Sequence, residues 1–194
     1  MALTYTPNPE LGSPCHDFSL PGTDGRTYTR DGLSKKDGLP VQAFLVMFIC
    51  NHCPYVKAVE ERLIKLGEEF QARPVSIVAI SANDGVKYPE DSFEKMKLKN
   101  YPFPYLHDES QAVAAKFGAV CTPDFFLYDK DLKLAYRGRL DDSWKDASLV
   151  RSRDLAGAIE ALLQGMRPTL EQRSSMGCSI KWKPGNEPPP AKPF

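Results

Sequence analysis

The stretch Val41-Gln42-Ala43-Phe44-Leu45-Val46-Met47-Phe48-Ile49-Cys50-Asn51-His52-Cys53-Pro54 decides how this chain is read. Its first nine residues are almost unbroken apolar sequence of strand length, the pattern of a strand buried on both faces. Beyond Pro54, apolar residues at Val56, Val59, Leu63, Leu66 and Phe70 recur at the three-four spacing of one helix face. Cys50 and Cys53 therefore stand where a buried strand hands over to a helix N-terminus. Unpaired backbone N–H groups and the positive end of the helix dipole there favour thiolate over thiol. Pro54 suits the first helical turn, where a missing N–H costs nothing. Two cysteines three apart can also close a disulfide across one turn, so Cys50-Asn51-His52-Cys53 reads as a redox site.

Composition sets the outer bounds. With 194 residues the chain has material for one good core and is short for two. A hydrophobic content of 42% and a charged content of 26% are ordinary globular values. Lys+Arg and Asp+Glu both number 25, so no basic field points to nucleic acid or an anionic membrane. The opening residues, Met1 to Pro7, lack the positive segment and apolar run of a signal peptide. No apolar run approaches the ~20 residues that span a bilayer. Five cysteines, an odd number without an export signal, argue against a disulfide framework. The expected compartment is a reducing cytoplasm.

Strand and helix patterns alternate along the chain. Phe18 to Tyr28 reads as a hairpin turning at Asp24-Gly25. After the decisive strand and helix, Val75 to Ser81 is a second β-branched run suited to a central parallel strand. Asp91 to Lys99 predicts a short helix, and Ser110 to Phe117 another, closed by Gly118. Phe125-Phe126-Leu127-Tyr128 and Leu134 to Arg139 flank a turn at Asp129-Lys130-Asp131. A last helix from about Asp154 carries Leu155, Ala158, Ile159, Leu162 and Leu163 and ends at Gly165. Residues 1–165 are thus expected to form the domain. Residues 166–194, with Pro168, Pro184, Pro188, Pro189, Pro190 and Pro193, are expected to form an extended tail rather than a packed element.

This order of elements, with a C-x-x-C between strand and helix and Thr122-Pro123 before the final hairpin, resembles the thioredoxin fold. More narrowly, Gly12-Ser13-Pro14-Cys15-His16-Asp17-Phe18-Ser19-Leu20, the insertion from Asp84 to Phe117 and Cys121-Thr122-Pro123-Asp124 resemble the branch holding peroxiredoxins (AhpC/TSA) and the disulfide reductases of cytochrome c maturation. The fit extends to peroxiredoxin-like thioredoxin-domain proteins that share Cys-Asn-His-Cys-Pro and a C-terminal Gly177-Cys178-Ser179-Ile180-Lys181-Trp182. The resemblance implies an α/β fold whose central mixed sheet is flanked by helices, with an N-terminal hairpin and an insertion after the second core strand. It implies Cys50 as the outer, exposed nucleophile and Cys53 as the resolving thiol. It also places Pro123 at the cis-proline facing the C-x-x-C, aiming the Thr122 backbone at a substrate peptide that pairs as an added strand.

Other residues carry two readings. Half of a zinc site is the competing reading of Cys50 and Cys53, but no second C-x-x-C or His pair is suitably spaced, so no metal is expected there. No cofactor is implied. His52 is either an exposed loop residue or a tuning imidazole that favours the thiolate and makes the disulfide easier to reduce. Cys121 reads as a small buried residue ahead of a third thiol in reach of Cys50. Asp141 and Asp142 read as a turn or cap ahead of a proton relay to Cys53. Many thioredoxins carry a buried aspartate six residues before the first cysteine; Phe44 stands there instead. Cys15 and Cys178 have no motif partner by spacing. Ile180 and Trp182 are the apolar anchors of a tail segment expected to dock while residues after Pro184 stay mobile. Cys178 is read as an incidental cysteine of that strap, ahead of an additional resolving thiol brought near Cys50.

Three functions compete. The first is a thiol–disulfide oxidoreductase acting on protein or small-molecule disulfides, re-reduced by a cellular dithiol donor such as the thioredoxin or glutathione system. The second is a thiol peroxidase with an antioxidant role. Its P-x-x-x-T-x-x-C pattern fails in both registers, which put Val46 and Cys50, or Ala43 and Met47, at the Pro and Thr places. The third is a non-catalytic metal- or partner-binding module using Cys50, Cys53, His52 and Cys121 as soft ligands. Neither nucleic acid nor membrane is an expected partner, and a homodimer remains open.

Overall fold

The structure is a computed structural model describing residues 3–169 and 171–187. In chain order the strands are β1 (Leu3–Tyr5), β2 (Ser19–Pro21), β3 (Thr27–Thr29), β4 (Lys35–Lys36), β5 (Leu39–Pro40) and β6 (Ala43–Phe48), then β7 (Val75–Ser81), β8 (Tyr105–His107), β9 (Cys121–Thr122), β10 (Asp124–Asp129), β11 (Leu134–Tyr136) and β12 (Met176–Ser179). The α-helices are α1 (Arg30–Leu33), α2 (Pro54–Phe70), α3 (Phe93–Met96), α4 (Ala112–Phe117) and α5 (Asp154–Leu163). Strands β2 and β3 pair across the Asp24-Gly25 turn, where Gly25 takes a φ of 83° that only glycine adopts without strain. The main sheet runs β11-β10-β6-β7-β8. Strands β6, β7 and β8 are parallel, whereas β10 is antiparallel to both β6 and β11. The mixed sheet flanked by helices is the architecture expected.

Strand β6 lies at the centre and buries every residue. Its period of two sends Ala43, Leu45 and Met47 to one face, against Val59, Leu63 and Phe70 of α2 and Leu155 and Ile159 of α5. Phe44, Val46 and Phe48 go to the other face, against Phe18, Phe117, Phe126 and Tyr128. Removing each such side chain from water contributes about 1.5–3 kcal/mol. The strand therefore has one tolerable register, and Cys50 leaves it at a fixed point in space. No helix among the described residues is long and apolar enough to cross a membrane.

Two expectations need correction. The helix read across Asp91 to Lys99 is broken. Pro89–Asp91 form a single 3₁₀ turn, Ser92 is extended (φ −62°, ψ 151°), and only Phe93–Met96 are α-helical. The Asp91 side chain is drawn into contacts elsewhere, described below. Nor is the segment after Met166 an unpacked extension. Met176–Ser179 forms β12, hydrogen-bonded between β1 and β9 in a second, three-stranded sheet. Ile180 is buried against the second core face with Trp182 beside it, as the apolar alternation suggested. Of the residues after Pro184, positions 188–194 lie outside the described residues.

Beside β9, the guanidinium of Arg137 holds the buried carboxylate of Asp124 through Nε (3.2 Å) and Nη2 (2.8 Å) and covers the Phe126 ring. Removing one member leaves a buried charge unpaired. Arg137→Ala is expected to lower unfolding stability by about 3–5 kcal/mol in denaturant titration, and Arg137→Met with Asp124→Leu to recover most of it. A loss below about 1 kcal/mol for the single variant would mean the pair behaves as a surface ion pair.

Candidate active site

Cys50 follows β6, and Cys53 is the N-cap of α2, which begins at Pro54. The peptide bond between Thr122 and Pro123 is cis. It brings Thr122 over both thiols: the Cys50 Sγ lies 3.4 Å from the Thr122 hydroxyl, and the Cys53 thiol donates to the Thr122 carbonyl at 3.1 Å. All five cysteines of the chain are buried thiols. The outer exposure expected of Cys50 is absent, since only 1% of its surface meets solvent, and none of that of Cys53.

The loop between the cysteines is held from outside by Asp91. This carboxylate is wholly buried, and its Oδ1 accepts the backbone N–H groups of Asn51 (2.8 Å) and His52 (3.0 Å). Its Oδ2 accepts from the Asn83 side-chain amide at 2.7 Å and lies 2.5 Å from His52 Nδ1. The His52 ring also stacks on Tyr88, with 5.4 Å between centroids. Asn51 donates to the Glu90 carbonyl and accepts from the Tyr105 hydroxyl. His52 is thus a fixed imidazole, hydrogen-bonded to Asp91 and stacked on Tyr88, and not an exposed loop residue. Cys50 Sγ, a His52 ring nitrogen and an Asp91 oxygen lie within 4.8 Å of one another, the one such three-ligand cluster among the described residues. The imidazole and carboxylate already satisfy each other there, so an ion would have to break that bond to enter.

Electrostatics separate the two thiols. Cys53 is lowered to about 4, first by the hydrogen bond from the Cys50 thiol, then by the Thr122 hydroxyl and the backbone N–H groups of Val56 and Cys178. Burial and the Thr122 carbonyl oppose that ionisation. The Val56 and Cys178 amides lean toward the sulfur without a strict capping hydrogen bond. Cys50 is pushed well above the ordinary thiol range by its hydrogen bond to Cys53, by burial and by the Asp91 charge. The helix-start argument therefore applies to Cys53: α2 begins one residue after it, and Cys50 lies a turn too early to feel its amides.

The remaining expected residues fall into place around this centre. Cys121 turns its thiol to the Pro123 carbonyl at 3.6 Å and is raised by burial, as a packing residue would be. Asp141 binds Arg62 and the Ser143 N–H, and so caps a turn. Cys178 stands opposite Thr122 in the β9–β12 pairing. A cleft alongside Pro123 is lined by Tyr5, Tyr55, Trp144 and Met176. The peroxidase registers place no threonine near either thiol; Thr122 supplies one from the segment that leads into β10, whose Asp124 pairs with Phe48 of β6. Asp91, Asn83 and Tyr105 were missed. They come from the insertion and its border, and nothing in their spacing marks them.

Residues 11–137 match the AhpC/TSA family. The chain belongs to that family. It is similar, at 42% identity, to an uncharacterized conserved protein of Geobacillus kaustophilus, with a TM-score of 0.88 over 95% of this chain and 98% of that one. It is also similar to a hypothetical protein of Sinorhizobium meliloti, at 38% identity and a TM-score of 0.86, covering 94% of this chain and 100% of that one. The thioredoxin domain of a thiol-disulfide oxidoreductase from Bacteroides vulgatus, at 16% identity, matches with a TM-score of 0.56 over 79% of this chain and 97% of that one, which shows the fold alone. No match is found among the curated proteins. The protein is therefore a thioredoxin-fold, peroxiredoxin-like member of AhpC/TSA, and its family membership points to thiol redox chemistry in general.

The lowered Cys53 thiol makes a direct expectation. Reduced protein should keep thiolate ultraviolet absorbance through neutral pH and lose it as pH falls through about 4. Because the folded-state value is depressed below an unfolded value near ~8.5, the stability Cys53 contributes is present above that unfolded value and lost as pH falls through the folded one. Cys53→Ser should abolish the absorbance change, and Cys50→Ala should move its midpoint upward by removing the leading hydrogen bond. A midpoint at an ordinary thiol value in the unaltered protein would refute the assignment.

Proposed function

We propose that the Cys50–Cys53 pair is the redox-active dithiol of a thiol–disulfide oxidoreductase acting on protein or small-molecule disulfides. The observation that carries this reading is the placement of both thiols under Thr122 of the cis-proline loop, the Cys50 sulfur beside its hydroxyl and the Cys53 thiol on its carbonyl, with Cys53 at the start of α2. The Cys53 thiolate attacks a substrate disulfide, forming a mixed disulfide and releasing the first substrate thiolate, which takes a proton from solvent. Cys53 is then neutral, and the shared hydrogen bond and negative charge that raised Cys50 disappear. Cys50 attacks the Cys53 sulfur, the Cys50–Cys53 bond forms, and the second thiolate leaves with the Cys50 proton. Two enzyme thiols are oxidised as one disulfide is reduced, and an external dithiol of the thioredoxin or glutathione type reverses the change. This assigns the first attack to Cys53, the reverse of the order that the family resemblance implied, because Cys53 holds the helix N-terminus. Asp91 positions the loop between the thiols, and the His52 ring is hydrogen-bonded to that carboxylate beside Cys50. Because both sulfurs are buried, substrate entry requires a local opening beside the Tyr55–Trp144 cleft.

A peroxidase reading draws on Thr122, whose hydroxyl is placed to hold a peroxide oxygen near Cys50. Among the described residues no guanidinium hydrogen-bonds either sulfur, so the polarising cation such chemistry uses is missing. Turnover of hydrogen peroxide is expected to be slow. A second-order rate rivalling that of a dedicated peroxidase would make this the leading reading.

Dithiothreitol-dependent reduction of insulin is the test of the main reading. The wild-type protein is expected to catalyse it, and Cys53→Ser to abolish it. Oxidation with glutathione disulfide should yield a Cys50–Cys53 linkage in peptide maps. Failure of the wild-type protein to reduce any disulfide would remove the proposal.

A further inference from the structure

The Thr122 edge beside a cis-proline is where a substrate peptide would pair as an added strand, and the chain fills that edge with itself. Strand β12 pairs antiparallel with β9, placing Cys178 opposite Thr122 and Ser179 opposite Cys121. Gly177 approaches so closely that a Cβ there would fall 1.9 Å from the Thr122 carbonyl oxygen, so any larger residue would lift the strand. The backbone N–H and the thiol of Cys178 both reach the Cys53 sulfur. The segment is tied into the active-site scaffold as well. Ser175 donates to the Pro123 carbonyl at 2.9 Å, and the Lys181 N–H donates at 2.8 Å to Asn83, whose amide holds Asp91.

We propose that Cys178 is a third redox-active thiol of this site, held by β12 in the position of a substrate cysteine and able to resolve Cys53. The inference rests on the reading that Cys53 is the attacking thiolate. It replaces the expectation that Cys178 is an incidental cysteine of a structural strap. Once Cys53 is joined to a substrate sulfur, the Cys178 thiol gives up its proton and its sulfur attacks Cys53. The Cys53–Cys178 bond forms, and the substrate thiolate leaves with that proton. The same exchange converts a Cys50–Cys53 disulfide into Cys53–Cys178 with Cys50 reduced, with no net electron change. In the resting site Cys178 is raised to about 11 by burial and by its contact with the Cys53 sulfur. The mixed disulfide removes the second cause, so Cys178 becomes a better nucleophile at the step that needs it.

The test uses the full chain carrying Cys50→Ser, treated with one equivalent of glutathione disulfide. Released glutathione is counted, and tryptic peptides are mapped without reduction. The expected result is release of a second equivalent of glutathione and a peptide joining Cys53 to Cys178. In Cys50→Ser with Cys178→Ser, the second release should be lost and glutathione should remain on Cys53. Glutathione retained on Cys53 in the single variant, or a Cys53–Cys121 linkage in place of Cys53–Cys178, would overturn the proposal. Cys178→Ser alone separates the two readings. A Cys50–Cys53 linkage there supports the dithiol of the proposed function whatever becomes of Cys178, and its absence counts against that dithiol alone. Gly177→Ala in the Cys50→Ser background should lower the yield of the Cys53–Cys178 linkage, because the added Cβ pushes β12 off Thr122; an unchanged yield would show that strand placement does not deliver the thiol.

Discussion

A single buried carboxylate organises the site. Asp91 is wholly buried, and among the described residues no guanidinium or ammonium pairs with it; a carboxylate in that setting is tolerable only when its oxygens are filled with donors. Two backbone N–H groups, the His52 ring and the Asn83 amide fill them. The consequence runs in both directions. The loop between the cysteines cannot relax outward without stranding Asp91, and the insertion carrying Asp91 cannot continue as the regular helix its sequence suggests. The broken helix at Ser92 is the local conformational cost of satisfying the carboxylate.

The second constraint is the crowded contact at Gly177. Main-chain atoms of β12 and β9 approach so closely there that no side chain fits between them. This closeness puts the amide and thiol of Cys178 at the sulfur of Cys53, and it makes the tail a part of the active centre. Asn83 joins the two constraints, because one of its side-chain atoms accepts from the tail while the other donates to Asp91. Tail position and loop position are therefore linked through one amide, and displacing β12 would leave Asn83 half satisfied.

Charge follows geometry in separating the thiols. A sulfur at a helix N-cap meets backbone N–H groups, whereas a sulfur one turn earlier meets the Asp91 carboxylate and its own neighbour. A motif alone cannot tell which of two cysteines occupies the cap, since the helix start is uncertain by a residue or two. Here Pro54 is the first helical residue, so the backbone N–H groups of the helix start add to the leading contribution of Cys50 in lowering Cys53.

Much of the fold was legible in the sequence, because it rests on periodicities that short-range sterics enforce. The period of two in Ala43–Phe48, the three-four spacing from Val56 to Phe70, and the glycines at 25, 118 and 165 each specify an element without reference to distant residues. The strand-to-helix position of Cys50 to Cys53 was legible for the same reason, whereas the Thr122-Pro123 loop was legible only through the family resemblance. The sequence by itself thus determined an α/β domain with two cysteines where its central strand hands over to a helix. Only the tertiary structure decided that both thiols are buried, that Cys53 and not Cys50 caps the helix, that Asp91 grips the loop, and that the tail returns to pair Cys178 with Thr122. Each of these depends on contacts between segments far apart in the chain. Their free energy comes from burial and from hydrogen bonds that exist only once the core has closed, and no local pattern encodes which distant donor a buried carboxylate or sulfur will find.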